Sequence, residues 1–512
     1  MPGFVIFLAL SRQIDANSSQ EKFKKMAERL SHRGPLTEYS YELDSGTLYL
    51  GILGERKQFF RKSDQQNSIM EFILIDSATS FPCPVPLEII GLLNPQGNPN
   101  NRESFTSQMY VAVGLTPEKE IQVFKSLDGV RPLYYAKMEY GLALSTEKKG
   151  IWAISEEVPI PLNPGVLLSI TEGAVIAYER KMVYERIERK PTDGAAILKH
   201  LEKYVKTSFA RLTGLNRCGV LFSGGVDSSL AALMANRVDE AKVSLISVAA
   251  DGSRDFDKTK HAASALSIDH TLVRLDEETV WDILPEVIYA IETSNRMDVE
   301  IAIPFFLAAR KAREEGIEVL VSGQGPDELF AGYARYERSL VENGVERLGE
   351  ELWSDLSITH ESNIARDEKA IVYHGVNAYF PYLDSNITSI ALSTPIELLI
   401  NPNNKPSRKI IFRELAFRLG VPDEIANAQK DATQYSSGSA TMLRRAVINH
   451  VSGAASLSRR ELQKLIQNVL HTIAIEIGMP FDQRIEHQPT IDMEPTLKLI
   501  NRIGRLPTSN LR

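Results

Sequence analysis

Residues 223–229 read Ser223-Gly224-Gly225-Val226-Asp227-Ser228-Ser229, two glycines and a carboxylate among hydroxyls. The apolar residues 218–222 before them predict a short buried strand, and residues 230–234 open a helix. A strand, a Gly-rich turn and a helix N-terminus form an anion cradle. Unpaired backbone N–H groups and the positive end of the helix dipole face the anion. Glycine lets the backbone approach a phosphate with no Cβ in the way. Asp227 would repel a bare phosphate but can hold Mg2+ against it. No Gly-Lys-Ser/Thr follows, so this is not the Walker phosphate loop. Nor is it a nucleophile elbow, which needs Gly-x-Ser-x-Gly.

Other polar groups follow predicted strands in the same way. A strand over 243–248 ends at Val248, before Ala249-Ala250-Asp251-Gly252. A strand over 317–321 runs into Ser322-Gly323-Gln324-Gly325-Pro326-Asp327-Glu328. Ligands of open α/β sheets bind beyond the carboxyl ends of the strands, so these segments belong to one place. Asp327 alone would pass for the cap of a helix over 328–332. Beside the first loop it reads as a second carboxylate for the same Mg2+.

The elements that position these groups fall into two parts, divided near 185–195. The first part is strand-rich: 4–10, 48–53, 110–114 and 141–145 are apolar or alternating runs, with helical patterning mostly at 20–31. Glu188-Arg189-Lys190-Pro191-Thr192 reads as a linker. From Gly194 helical stretches alternate with strands at 220–222, 243–248, 271–275 and 317–321, which predicts a parallel sheet covered by helices. From about Ala440 the pattern is helical. The domains are drawn at 1–186, 193–440 and 441–512.

Composition narrows the class. The 512 residues are 43% hydrophobic and 24% charged, a globular profile. A net charge of −8 argues against nucleic acid as a partner. Two cysteines, Cys83 and Cys218, exclude a disulfide framework and suit the cytoplasm. The opening apolar run is too short to span a bilayer, so no membrane partner is expected.

The string SGGVDSS resembles the PP-loop of the ATP pyrophosphatases. With SGQGPDELFAGY, Phe380-Pro381-Tyr382-Leu383-Asp384, Lys409-Ile410-Ile411-Phe412-Arg413 and Gln429-Lys430-Asp431, it follows the order found in class B asparagine synthetases. Ser31-His32-Arg33-Gly34-Pro35, residues 128–135 and residues 145–149 are similar to segments of that family's N-terminal glutaminase domain. The resemblance covers roughly residues 1–440. It implies an α/β protein: an N-terminal α+β Ntn-hydrolase-like sandwich, then an α/β PP-loop (adenine nucleotide α-hydrolase-like) domain with a parallel sheet and a helical C-terminal extension. It also implies ATP and Mg2+ as cofactors, aspartate or another carboxylate as acceptor and ammonia as nucleophile. A homodimer is compatible with it.

Residue by residue, the resemblance implies that Ser223, Gly224, Gly225 and Ser228 hold pyrophosphate and that Asp227 and Asp327 bind Mg2+. Leu221 and Val248 would bound the adenine. Ser322 and Gly323 would line the ribose and α-phosphate. Lys430 would offset charge as pyrophosphate leaves. Lys409 and Arg413 match the family's KxxLR segment, with pairing to neighbours on their own helix as the plainer alternative.

The departures are as informative. Residue 2 is Pro2 where the family has its nucleophilic Cys, and neither Cys83 nor Cys218 can replace it. The family's NGEIYN segment is also missing, its nearest candidate being residues 91–97. The first domain is therefore expected to keep the fold but not glutamine hydrolysis. Gln324 takes the catalytic position of a Glu that is thought to accept a proton from ammonia, and an amide does not titrate in that range. Gln324→Glu is accordingly expected to raise ammonia-dependent product formation. His374 is a nearby alternative base, although a lone histidine is more often structural. The leading reading is an ammonia-dependent asparagine synthetase or a relative amidating another carboxylate. A β-lactam synthetase-like intramolecular ligase is a second. A non-catalytic ATP-binding protein, like the asparagine synthetase domain-containing subgroup, is a third.

Overall fold

A computed structural model describes residues 3–54, 58–61, 72–77, 109–116, 118–171, 173–180, 193–238, 242–428, 433–480 and 491–506. The predicted linker at 188–192, Cys83, residues 91–97 and Lys430 lie outside them.

The first part is a sandwich of two antiparallel sheets. One runs in the order β10 (Ile160–Pro161), β8 (Tyr134–Met138), β9 (Gly141–Ser145), β1 (Gly3–Leu10), β3 (Gly46–Leu53), β2 (Leu36–Leu43). The other runs β12 (Ile176–Arg180), β11 (Val166–Ile170), β7 (Ile121–Lys125), β6 (Tyr110–Leu115), β5 (Phe72–Ser77), β4 (Gln58–Arg61). Strand β1 is apolar throughout because both its faces are covered. Phe4, Ile6 and Leu8 meet Val111, Val113 and Val123 of the second sheet. Val5, Phe7 and Ala9 meet Phe23 and Met26 of the helix Ala16–Arg29. That helix starts before residue 20 because the Asp15 side chain accepts from Ser18 N–H and caps it.

The second part holds a five-stranded parallel sheet in the order β15 (His270–Leu275), β14 (Lys242–Ala250), β13 (Arg217–Leu221), β16 (Val319–Val321), β17 (Asn377–Tyr379). β13 is central, with Val220 opposite Leu245 on one side and Val321 on the other. Four of these strands match the apolar runs of the sequence. The fifth, β17, is too short for periodicity to mark it, and lies just before Phe380-Pro381-Tyr382-Leu383-Asp384. The core around this sheet continues into the C-terminal helices Ser439–His450 and Arg459–Ile477, where Leu443 and Leu470 are fully buried.

Buried ion pairs join the two parts. Arg33 binds Glu147 and reaches Glu368 at 3.0 and 3.1 Å. Arg131 lies 3.2 Å from Glu368. Lys149 pairs with Glu147, and its backbone N–H donates to Glu292 at 2.7 Å. Lys369 lies 2.6 Å from Glu292 and 2.8 Å from the Tyr134 hydroxyl. Every one of these charged side chains is 3% exposed or less. The three first-domain segments with the family resemblance therefore meet at this joint.

Candidate active site

Beyond Leu221 the chain turns sharply through the loop at 223–225. Gly224 has φ +65°, and a Cβ there would come within 3.1 Å of the Lys258 carbonyl oxygen. Only glycine meets both demands cheaply. Gly225 caps the helix Val226–Asn236. The helix thus starts four residues before the expected position, which puts Asp227 and Ser228 in its first turn. Ser228 Oγ lies 3.2 Å from both Ser223 Oγ and the Gly225 carbonyl oxygen, drawing the loop closed.

The second wall comes from β16. Its continuation is anchored by Ser322 N–H donating to the Tyr379 carbonyl at 2.8 Å. Gly323 lies against the turn after the loop at 223–225: a Cβ there would sit 3.1 Å from Ser228 N and 3.2 Å from Asp227 C. Pro326 starts the short helix Pro326–Leu329, whose cap is Gly325. Asp327 is therefore not a cap, and it lines the cleft instead. Tyr382 of FPYLD donates to the Asp227 carbonyl at 2.9 Å, while Asp384 caps the helix Ser385–Ser393.

Lys409 closes the site. Its Nζ lies 2.7 Å from both Asp227 oxygens and 2.8 Å from Asp327 Oδ1. Burial pulls the ammonium down from its ordinary range, and Asp227 opposes that pull. Of the two readings of Lys409, pairing only with helix neighbours is thus set aside. Lys409 takes φ +57° at the start of the helix Ile410–Arg418, which turns its side chain across the cleft. The same holds for Arg413, which donates to the carbonyls of Arg408, Ala426 and Ala428. It holds the chain that leads to residues 429–432.

One cleft gathers most of the predicted residues that the structure describes. Ser223, Gly225, Asp227 and Ser228 line one side of it. Leu221 and Val248 line its apolar side, with Ile246 and Phe305 nearby. Ser322, Gly323, Gln324 and Asp327 form the far wall. Gly224 shapes the loop from behind. Sequence reasoning missed Lys258, one turn into the helix Arg254–Leu266 after β14, which lines the same cleft. Its place shortly after a strand end was the signal available.

His374 does not line the cleft. It packs against Phe306 at 4.3 Å, and burial pushes its imidazolium down to about 3. Gln324 instead donates Nε2–H to Asp367 Oδ2 at 2.7 Å. A glutamate at 324 would therefore face a second carboxylate, which the sequence did not reveal. Cys218 is fully buried in β13, and burial pushes its thiol up to about 12.

Among the described residues no cluster of three or more His, Cys, Asp or Glu is arranged to hold a metal ion. No described helix is long and apolar enough to cross a membrane.

The asparagine synthase family model matches residues 200–348 and 340–472 of this chain. A Methanocaldococcus jannaschii protein named putative asparagine synthetase (glutamine-hydrolyzing) 1 is 30% identical over 368 residues, 63% of this chain and 68% of that one. Asparagine synthetase B (glutamine-hydrolyzing) of Escherichia coli is 28% identical over 331 residues, 60% of this chain and 57% of that protein. The chain thus spans between about half and two thirds of the length of such relatives. Among solved structures, NMN synthetase from Francisella tularensis is 12% identical, covering 63% of this chain and 100% of its own at a TM-score of 0.26. The NH3-dependent NAD synthetase from Campylobacter jejuni is 11% identical, covering 57% and 100% at 0.24. Overlaps of that size carry no argument about the fold.

Proposed function

Since the chain belongs to the asparagine synthase family, we propose that it is an ATP-dependent carbon–nitrogen ligase that amidates the side-chain carboxylate of aspartate with free ammonia. The observation that carries this reading is one cleft at the carboxyl ends of three parallel strands. It combines a glycine phosphate loop, two carboxylates and a buried lysine.

A carboxylate oxygen of the acid attacks the α-phosphorus of ATP. The bond to the bridging oxygen of the β-phosphate breaks, and pyrophosphate leaves. Ammonia then attacks the acyl carbon, AMP leaves with the bonding pair, and the nitrogen gives up a proton. The loop N–H groups at 223–228 bind pyrophosphate oxygens, while Lys258 and Lys409 add fixed positive charge in a site partly screened from water. Leu221, Val248, Ile246 and Phe305 offer an apolar berth for the adenine ring.

Mg2+ fits the donor set. Asp227 and Asp327 reach one common point, marked by Lys409 Nζ, and Mg2+ commonly takes one or two carboxylates with phosphate oxygens and water. Asp227 and Asp327 would hold it, and it would shield phosphate charge.

In this reading the first domain does not hydrolyse glutamine. Supporting this, Arg33, Arg131 and Lys149 from its family-like segments are buried in ion pairs to Glu368 and Glu292 of the second domain.

The test is ATP–pyrophosphate exchange with Mg2+ and aspartate, followed by AMP release with ammonium or glutamine. Exchange with aspartate and turnover on ammonium alone support the reading. ATP binding without exchange on aspartate would sink it, leaving another acid or a non-catalytic role.

A further inference from the structure

Asp367 lies behind the Gln324 wall of the cleft and is fully buried. Both its oxygens are committed. Oδ1 accepts from Arg366 Nε at 2.8 Å, and Oδ2 accepts from Gln324 Nε2 at 2.7 Å. Arg366 is held in turn by Asp298 and Asn363, each at 3.4 Å. A carboxylate only accepts hydrogen bonds, so the Gln324 amide has one satisfactory orientation. Turned over, its Oε1 would oppose Asp367 Oδ2, two acceptors in contact away from water.

One Nε2–H is given to Asp367, and Oε1 is the acceptor end of the amide that this orientation turns away from Asp367, on a residue that lines the cleft. We propose that Asp367 is a positioning residue that fixes Gln324 as a hydrogen-bond acceptor for the N–H of the incoming nitrogen nucleophile, ammonia or a primary amine. This deepens the proposed function and rests on it. An acceptor oxygen here disfavours phosphate and carboxylate oxygens, which keeps ATP and the acid on the lysine side. It also supplies what the amide can offer the nucleophile: orientation of its N–H rather than removal of its proton.

Asp367→Asn tests this with little change of shape. The oxygen of the new amide would still accept from Arg366, leaving its N–H to face Gln324. The Gln324 amide must then turn over, presenting a donor to the cleft. The readout is KM for ammonium relative to KM for ATP and for aspartate, measured by AMP release from the full chain. In Asp367→Asn, KM for ammonium is expected to rise about tenfold relative to KM for ATP, the size of one good hydrogen bond. In the double variant Gln324→Glu with Asp367→Asn, a carboxylate oxygen faces the cleft again, and KM for ammonium is expected to return to within about threefold of wild type. The double variant also answers for a single variant that folds poorly.

An active wild type with ammonium KM unmoved by Asp367→Asn overturns the inference alone. A rise in KM for aspartate instead would overturn the nucleophile assignment and give the acceptor to the substrate's own ammonium group. A wild type without ammonium-dependent AMP release overturns the proposed function, and this role with it.

Discussion

Lys409 Nζ donates to both carboxylate oxygens of Asp227 at 2.7 Å, across 182 residues of chain. The same ammonium reaches Asp327, so one cation ties the first turn of the helix Val226–Asn236 to the opposite wall.

Lys409→Met should therefore leave two facing carboxylates with their shared cation removed. Breaking a buried ion pair costs about 3–5 kcal/mol. Asp227 retains 18% side-chain exposure, which lowers the expectation to roughly 2–4 kcal/mol. Chemical denaturation would measure it. Added Mg2+ should raise the melting temperature of this variant more than that of wild type; an equal response would refute Asp227 and Asp327 as its ligands.

Gly323→Ala places a methyl between two backbone segments that cannot swing aside, at 3.1 Å from Ser228 N. Overpacking of this kind costs about 1–3 kcal/mol. The two walls must part, so ATP affinity should fall roughly tenfold or more, read by titration calorimetry. Unchanged affinity would mean the loops are not in contact.

Arg33→Met removes the cation shared by Glu147 and Glu368 at the domain joint. Both carboxylates are 1% exposed or less, so a loss of about 3–5 kcal/mol in unfolding free energy is expected. A loss under about 1 kcal/mol would be the value of a solvent-exposed pair and would contradict the buried joint.

Acid should weaken the protein in two stages. Burial holds the imidazoliums of His32, His360 and His374 below their ordinary 6.5, the latter two down to about 3. Unfolded, these histidines bind protons below pH 6.5 that the folded chain refuses. Their contribution is present above pH 6.5 and is lost as pH falls toward the folded values, at most about 1.4 kcal/mol per pH unit per histidine. For Glu147, burial alone would raise the carboxyl, but His32, Lys149 and Arg33 outweigh it and hold it well below 4.5. Its contribution is present above pH 4.5 and is lost below. Melting temperature should fall from pH 6.5 downward and again below 4.5, with the second fall weaker in Glu147→Gln.

Gln324→Glu alone should gain less than its chemistry promises. The new carboxylate would meet Asp367 at about the 2.7 Å of the present bond, so the pair would hold a proton at neutral pH. Ammonia-dependent turnover rises with pH for both proteins as the free NH3 fraction grows, and the ratio of this variant's turnover to that of wild type should itself rise with pH across the neutral range. A pH-independent gain would show that the two carboxylates do not meet.

Local features were legible in the chain alone. The apolar runs of β13, β14, β15 and β16 and the glycine turn at 224 could be read because strand burial and a tight backbone turn each restrict residue type over a few neighbouring positions. The rule that ligands sit at strand ends even brought those segments to one cleft. Which distant charges meet was settled only by the packing of the folded chain. Lys409 crosses the cleft to Asp227, Glu368 turns to Arg33 and Arg131, and Asp367 meets Gln324, pairs separated by 43 to 335 residues. A salt bridge or amide pair leaves no periodic trace in the chain, because its geometry depends on two elements packed by apolar residues that say nothing about the charges they carry.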